Sequence, residues 1–391
     1  MRLYCADLHV HIGRAQGQPI KITASSRMTL AAVLEEGARD KGLQMVGVVD
    51  CGSPLVLQDI HELLDQGRLN LTKNGDLITP QGVMLVLGVE VESGEGAHFI
   101  IYLPHLQAVE KCQQIMARRV KNPNLSTQKS SFKAQELLNL AAGIGGLFVV
   151  AHAFTPHRGA YGFWVSRLAD GLGPVYKQVN ALELGLSADT DMAGIIGETR
   201  QFPFLSNSDA HSLATMGREY NLLRMAGLGF AELRMALAGE GGRRIVANYG
   251  MHPLLGKYHR SFCPQCRTLA REPEPLFICP QCGHSMIPGV WDRVWSIRDY
   301  EEPHHPVGRP PYHYRVPLSF LPGLGPKTYT KLRCSLGSEI EIMERSDLGM
   351  IERVAGPRVA GYIERMRSGR LEIVPGGGGY YGRVKKSHGD D

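Results

Sequence analysis

Through the first 245 residues, short apolar segments alternate with amphipathic ones, and this alternation limits the fold more than any other feature. Segments such as QMVGVVD and VMLVLGVEV have the length of strands, whereas TLAAVLEEGARDKG and KAQELLNLAAGIG have the spacing of helices. Strands of about 4–8 residues that alternate with helices of about 10–15 residues predict parallel βαβ units. Seven such strands fit a barrel better than a small open sheet, so we predict an α/β barrel.

Polar side chains that can bind metals end most of these apolar segments. The stretch DLHVH places Asp7, His9 and His11 at alternate positions, which share one face of a regular strand. Later segments end in further carboxylates and imidazoles, namely Asp50, Glu90, Glu92, His98, His152, Asp209 and His211. In α/β barrels the C-terminal strand ends form the rim that carries the active site. One such residue is ordinarily structural, but the whole set predicts a centre for divalent metals.

Charge is distributed unevenly along the chain. Residues 1–242 carry 21 Lys and Arg against 23 acids, whereas residues 243–391 carry 22 against 15. The basic second part predicts contact with a polyanion, although an ordinary solvated surface explains the excess equally well. No apolar run reaches the ~18 residues of a membrane span, and the polar motif at Asp7 leaves no room for a signal peptide. We therefore expect a cytoplasmic protein without membrane contact.

Four of the eight cysteines form two tight pairs in CPQCRTLAREPEPLFICPQCG. Two C-x2-C knuckles, twelve residues apart, place four thiolates around one tetrahedral metal ion. The predicted ligands of this structural zinc are Cys263, Cys266, Cys279 and Cys282. Four protein ligands leave no open position for catalysis. We assign residues 1–245 to the barrel and residues 246–310 to this zinc-binding module.

Residues 311–391 have a helical pattern and end in the glycine-rich, basic stretch PGGGGYYGRVKK. Within them, LPGLGPKTYTKL is similar to a helix-hairpin-helix turn, in which backbone N–H groups bind a DNA phosphate. We predict that Gly323 and Gly325 form this turn and that Lys327 adds positive charge. An ordinary Gly-Pro turn between packed helices is the alternative. The basic tail is either a phosphate-binding arm or a merely solvated end.

The polar residues of the first 240 positions follow an order that resembles the PHP (polymerase and histidinol phosphatase) family. The matching positions are His9, His11, Glu90, His98, His152, Asp209 and His211. The resemblance implies a distorted (β/α)7 barrel with up to three divalent metals that hydrolyses phosphoesters. It also implies that Glu90 bridges two metals and that Glu90, His152 and Asp209 are catalytic.

Two departures from that pattern concern the metals. Many members of the family carry an Asp-His pair after the second strand, where this chain has Asp50-Cys51. Either Cys51 ligates zinc or Asp50 serves alone. The stretch GRAQGQ, which follows the first two histidines, lacks the further histidine that often stands there. We therefore expect one metal position to have different ligands from those of many other members of the family.

Barrel, four-cysteine module and helical region, in this order, resemble the endonuclease Q family over essentially the whole chain. The resemblance implies a DNA repair enzyme that nicks 5′ of deaminated bases (uracil, hypoxanthine, xanthine) or abasic sites and leaves 3′-hydroxyl and 5′-phosphate ends. It implies lesion-containing double- or single-stranded DNA as substrate, Mg²⁺ or Mn²⁺ for catalysis, and zinc both in the module and in the barrel. A replication clamp is a further conceivable partner, although no clamp-binding peptide is evident.

An enzyme of this kind has to extrude the damaged nucleotide into a pocket beside its metals. The stretch AFTPHRGAYGFWV after His152 is our predicted wall, with Phe154 and Trp164 against the base and Arg158 on a flanking phosphate. Core packing is the alternative for both rings. Two other functions stay open: a small-molecule phosphatase, which needs no salt-sensitive DNA affinity, and a non-catalytic DNA-binding adaptor, which predicts missing metal ligands.

Overall fold

The computed structural model describes residues 1–386, so the end of the predicted C-terminal region, residues 387–391, lies outside the described residues. The strands are β1 Arg2–Val10, β2 Arg14–Ala15, β3 Gln18–Pro19, β4 Met45–Val48, β5 Asn70–Leu71, β6 Leu77–Ile78, β7 Met84–Glu92, β8 His98–Leu103, β9 Leu147–Val150, β10 Ala181–Glu183, β11 Phe204–Leu205, β12 Tyr220–Met225, β13 Arg244–Met251, β14 Tyr312–Arg315, β15 Ile373–Val374 and β16 Arg383–Val384.

The α-helices are α1 Ala38–Lys41, α2 Pro54–Asp65, α3 Leu106–Met116, α4 Ala134–Gly143, α5 Leu168–Leu172, α6 Thr190–Gly194, α7 Phe230–Ala238, α8 Val290–Ser296, α9 Pro326–Leu336, α10 Glu339–Glu344, α11 Leu348–Ala355 and α12 Pro357–Arg367. Two further segments, Ala32–Gly37 and Ala160–Trp164, are π-helical. Within residues 1–386, no helix is long and apolar enough to cross a membrane.

Seven strands form the barrel, in the order β1, β4, β7, β8, β9, β10 and β11. A bridge between Val10 and Ala210, just after β11, brings the last strand back to the first. The predicted α/β barrel of seven strands is therefore confirmed. The sheet is mixed, however, because β8 runs antiparallel to both of its neighbours, β7 and β9. Only residues 93–97 connect β7 to β8, and so short a connection makes a hairpin and not a parallel crossover.

The lower part of the barrel is filled with apolar side chains. Leu8, Val86, Ile100, Val149 and Leu205 come from different strands and are at most 1% exposed. Helix α7 packs against the same cluster. A second apolar layer lies between the sheet and the surrounding helices. Both layers fix the strands as a rigid frame, and the polar strand ends that continue above the apolar filling form one site.

Strands β12, β13 and β14 extend the sheet on the other side of β1. Strand β13 runs across the predicted boundary between residues 245 and 246, so that boundary falls inside a strand. The proline-rich stretch EEPHHPVGRPPYHYRVP, residues 301–317, supplies β14, which pairs in parallel with β13. The backbone hydrogen bonds of this pairing outweigh the Pro-rich composition around it. The three-part division of the chain stays a prediction.

Helices α9 to α12 surround a separate apolar core. Its fully buried members include Leu332, Ile351, Tyr362 and Ile363. Met251, at the end of β13, belongs to the same core. Side chains at the helix starts satisfy free backbone N–H groups there: Ser338 accepts from the third residue of α10, and Asp347 does so in α11. The C-terminal region is thus helical, as predicted.

Candidate active site

Three overlapping groups of metal-capable side chains meet at the upper end of the barrel. Within each group the ligand atoms lie within 4.8 Å of one another. The groups are His9, His11 and Glu90; then His11, Asp209 and His211; and finally Glu90, His98 and His152. All seven residues that match the PHP pattern are therefore brought together. Because Glu90 and His11 each belong to two groups, neighbouring ions would share these ligands.

Carboxylates orient the two histidines of β1. His9 Nδ1 lies 2.9 Å from Glu183 Oε2, and His11 Nδ1 lies 3.0 Å from Asp50 Oδ1. Each imidazole consequently turns its Nε2 atom inward, and the two Nε2 atoms are 3.3 Å apart. A carboxylate that holds the outer nitrogen of a ligating histidine is the usual arrangement around protein metals. The donor set fits divalent cations for this reason.

Glu90 and Asp209 stay ionised in this buried centre. Burial alone would raise the pKa of the Glu90 carboxyl, but Lys21, His98 and His152 hold it well below its ordinary value. Burial would also raise the pKa of the Asp209 carboxyl. His9, His11 and His211 outweigh this effect and hold the pKa well below its ordinary value. Both carboxylates can therefore ligate metals without first losing a proton.

Two of the site residues have unusual backbone conformations. His152 has φ 27° and Asp209 has φ 46°, which is the left-handed region that residues other than glycine rarely adopt. His152 stands two residues after β9 and Asp209 four residues after β11, where the chain has to turn to aim each side chain at the centre. Such strain is typical of functional sites, since the surrounding structure has to hold the residue in place.

The structure also brings Lys21 into the centre, which the sequence reading missed. Its Nζ atom lies 3.3 Å from Glu90 Oε2 and donates to Thr127 Oγ1 at 2.6 Å. Although burial lowers it, the pKa of Lys21 is raised by Glu90, Asp50 and Asp209. The ammonium group is therefore a permanent cation beside the shared carboxylate.

We expect Lys21→Met to bind Mn²⁺ in the barrel at least about tenfold more tightly than the wild type, because a like charge next to the ions is removed. Titration calorimetry on metal-stripped protein measures this affinity. Lys73→Met, at an exposed position, is the matched control. An unchanged affinity in Lys21→Met would show that the ammonium group does not act on the bound ions.

Asp7 and Asp50, both predicted metal ligands, make other hydrogen bonds at the edge of the centre. The register between β1 and β4 shifts between Asp7 and Val10, so the strand does not alternate regularly there. Asp7 instead accepts backbone N–H groups of Ser208 and Gly217. Asp50 orients His11 and accepts from Ile12 N. Among the described residues, neither aspartate belongs to a metal-capable group.

Cys51 points into the core and not into the centre. Its Sγ atom donates to the carbonyl of Val48 at 3.1 Å, and the residue is 0% exposed. Burial raises the pKa of this thiol to about 12. A protonated, buried thiol is a poor metal ligand, so at this corner of the site only Asp50 acts on the centre, through its hydrogen bond to His11.

The four paired cysteines form a further metal-capable group outside the barrel. Their Sγ atoms approach to 3.3 Å between Cys266 and Cys279 and to 3.5 Å between Cys263 and Cys282. Both distances are too long for a disulfide bond at about 2.05 Å and fit four thiolates around one ion. Hydrogen bonds from Thr268 and Cys279 lower the pKa of Cys266 to about 6. The cluster suits zinc, whose preferred ligands are thiolates.

Comparison with known proteins agrees with this arrangement, although no family model matches the chain. An uncharacterized protein of Bacillus subtilis, YqxK, is 39% identical over 98% of this chain and 100% of its own length. The lesion-specific endonuclease PfuEndoQ from Pyrococcus furiosus is 31% identical, with a TM-score of 0.85 over 98% of this chain and 95% of its own. The chain belongs to the endonuclease Q family. A solved complex of endonuclease Q with a 27-mer duplex substrate, with an abasic lesion at the active site, also matches 31% identical, with a TM-score of 0.87 over 100% of this chain and 98% of the other.

The predicted base-stacking residues of this endonuclease Q family member need correction. Phe154 is 0% exposed and stacks on Tyr161 at 5.3 Å between ring centroids. Trp164 packs edge-on against buried Phe99 at 6.1 Å. Phe154 lies in the core, and Trp164, at the end of the π-helical turn, is half-buried against it, so neither ring lines the cavity beside the metal-capable groups. Arg158 stays at the rim, where it pairs with Glu92 at 3.0 Å.

A cavity beside the metal-capable groups is the better candidate for the damaged nucleotide in this endonuclease Q chain. Its volume is about 250 Å³. Its walls come from the barrel, from the chain after β13 and from the C-terminal tail, and include His152, Asp209, Lys257, Tyr258 and Tyr381. The last three escaped the sequence reading, because only the folded chain brings residues so distant in sequence to the barrel rim.

Proposed function

We propose that this protein is a metal-dependent DNA repair endonuclease that cuts the phosphodiester bond 5′ of a deaminated base or an abasic site and leaves 3′-hydroxyl and 5′-phosphate ends. The observation that carries the proposal is the position of the three overlapping metal-capable groups next to a cavity of nucleotide size. The lesion-bound endonuclease Q structure, similar over the whole chain, supports abasic DNA as one substrate.

The barrel residues would hold the catalytic Mg²⁺ or Mn²⁺ ions, with zinc as a further occupant. When bound, such ions supply Lewis acidity and lower the pKa of water. Glu90 offers one oxygen to each side of the centre: Oε1 lies 3.4 Å from His152 Nε2, and Oε2 lies 3.4 Å from His11 Nε2. Asp209 lies 3.4 Å from His11 on the outer side and faces the cavity. Glu90, His152 and Asp209 would thus hold the ions in one place, and the positive charge of the ions would bind the reacting phosphate.

The cavity also has groups that suit deaminated bases. Deamination replaces an exocyclic amine with a carbonyl oxygen, so recognition needs hydrogen-bond donors. Lys257 offers an ammonium group, and Ser187 offers a hydroxyl group to the same cavity. We propose uracil, hypoxanthine and xanthine as the accepted bases on this ground and on that of the family resemblance.

The helical region is the proposed DNA-binding surface. Gly323 has φ +84°, and Gly325 is the residue that precedes α9. The Arg358 side chain, in the first turn of α12, packs against Gly323, so the starts of two helices lie side by side. Helix starts attract phosphate through free N–H groups and the helix dipole. We propose that Gly323, Gly325 and Lys327 grip one phosphate there and that Arg158 contacts another at the barrel rim.

A nicking assay tests the function directly. End-labelled duplexes with a single deoxyuridine, deoxyinosine or abasic site are incubated with the protein and Mg²⁺ or Mn²⁺. An undamaged duplex and an EDTA-treated sample serve as controls. We expect one cut, directly 5′ of the lesion, that requires the metal, and a ligatable 5′-phosphate on the downstream fragment.

The other outcomes identify the alternatives. Hydrolysis of simple phosphate monoesters without a lesion-dependent cut would favour the small-molecule phosphatase. Tight, salt-sensitive binding without hydrolysis of either substrate would favour the DNA-binding adaptor. Either result would contradict the proposed endonuclease.

A further inference from the structure

The glycine-rich tail folds back onto the molecule, although its composition suggested a loose arm. We call residues 375–386 the C-terminal segment. Strand β16 of this segment pairs with β15. Gly376 N donates to Leu254 O at 2.7 Å, and Gly382 N donates to Leu255 O at 2.9 Å. The segment therefore docks on the chain just after β13, next to the cavity.

Its glycines are needed for this close docking. A Cβ atom on Gly376 would meet the backbone nitrogen of Gly382 at 2.4 Å, and a Cβ on Gly382 would meet Leu254 O at 2.6 Å. Contacts this short with backbone atoms do not occur for real side chains. The glycines thus allow the backbone of the C-terminal segment to pack closely on itself and on residues 254–255.

Docking places Tyr381 in the wall of the cavity that Asp209 and His152 also line. Arg218, which is 9% exposed, donates to the Tyr381 hydroxyl at 2.6 Å and to Ser208 O at 2.9 Å. Ser208 directly precedes Asp209. Through these two hydrogen bonds, Arg218 links the Tyr381 ring to the backbone next to Asp209, a proposed metal ligand.

The rest of the cavity has the character of a site for a flat, polar ring. Tyr258 lies in the same wall and packs against His157, with 4.8 Å between ring centroids. The Lys257 ammonium lies 4.5 Å from the centroid of the Tyr381 ring. Aromatic rings with a nearby cation are the typical environment of an unstacked base.

We propose that Tyr381 is a specificity-determining residue that contacts the base of the extruded nucleotide, so that the C-terminal segment selects for base lesions. This inference rests on the proposed endonuclease function. An abasic site has no base for Tyr381 to contact. A comparison of abasic DNA with deoxyuridine DNA therefore separates contact with the base from every other role of Tyr381.

The test compares Tyr381→Ala with the wild type on two duplexes that differ only at the lesion, deoxyuridine in one and an abasic site in the other. We expect kcat/KM on deoxyuridine DNA to fall at least about tenfold, mainly through KM, while the value on abasic DNA stays within about twofold. Tyr381→Phe keeps the ring and loses the hydroxyl contact to Arg218, and it should retain the wild-type ratio between the two duplexes. Tyr380→Ala, at a neighbouring residue that is 68% exposed, is the matched control.

Equal losses on both duplexes in Tyr381→Ala would assign the residue a structural role through Arg218 and would overturn the inference. Unchanged rates on both duplexes would overturn it as well. If the wild type cut neither duplex, the proposed function itself would fail, and the inference with it.

Discussion

Replacement of Glu90 by glutamine is expected to slow nicking by ~10³-fold or more and to remove metal from the two groups that share this residue. Glutamine keeps the shape of the side chain but removes its charge and turns one acceptor oxygen into a donor. Glu90 Oε1 lies 3.1 Å from His98 Nδ1 and Oε2 lies 3.4 Å from His11 Nε2, so both groups that share this residue lose a ligand at once. Loss of an outer carboxylate costs ~10–100-fold in metal affinity or activity, and a shared ligand should cost more.

Initial nicking rates and metal content per chain, measured by plasma mass spectrometry, check this expectation. The variant should lose barrel metal and keep the zinc of the cysteine cluster. Glu240→Gln, at an exposed position outside the site, is the matched control and should behave as the wild type. A Glu90→Gln protein with full barrel metal and a rate within tenfold of the wild type would contradict the proposed role.

The second large effect is expected at the cysteine cluster. Cys263→Ser should lose one zinc per chain, lower the midpoint of thermal unfolding of the module and weaken DNA binding. The module's buried apolar cluster consists of Cys263, Cys279, Ala270 and Met286, two of which are themselves ligands. So small a core cannot hold a fold by burial alone, whereas zinc binding to such sites contributes ~10 kcal/mol or more.

Zinc content, thermal unfolding followed by tryptophan fluorescence and a DNA-binding titration measure the three changes. Cys334→Ser replaces an exposed thiol in α9 and should leave all three unchanged. The barrel metals should also stay bound in Cys263→Ser. An unchanged zinc content in that variant would show that the cluster does not bind the ion.

The sequence was sufficient to locate most of the metal centre. Residues such as Glu90 and His152 stand at the ends of apolar segments, and a barrel brings strand ends to one rim whatever the details of the helices. At these positions the apolar pattern of the sequence and the geometry of the barrel therefore predict the same residues. The zinc cluster could be predicted equally well, because two C-x2-C pairs place four thiolates around one metal ion.

The residues that support the centre were harder to find. Glu183 orients His9 from 174 positions away, and nothing in the segment ALELGL distinguishes it from an ordinary strand residue. Lys21 lies in an irregular stretch whose path depends on the packing around it. Asp7 was misassigned because a register shift in β1 breaks the alternation that the prediction assumed. Tertiary contacts decide each of these cases.

The strand that joins the two larger parts of the molecule has a mechanical consequence. Ile245 and Met251 belong to the same strand, β13, yet one packs into the barrel core and the other into the core of the helical region. A continuous, hydrogen-bonded strand has no hinge, so the enzyme would meet its substrate as a stiff body. On the proposed function, any bend in the complex would have to come from the duplex, at a cost of ~1–6 kcal/mol for turns of 40–90°. DNA already softened by damage bends at lower cost, and its flexibility would then add to the chemical recognition of the lesion.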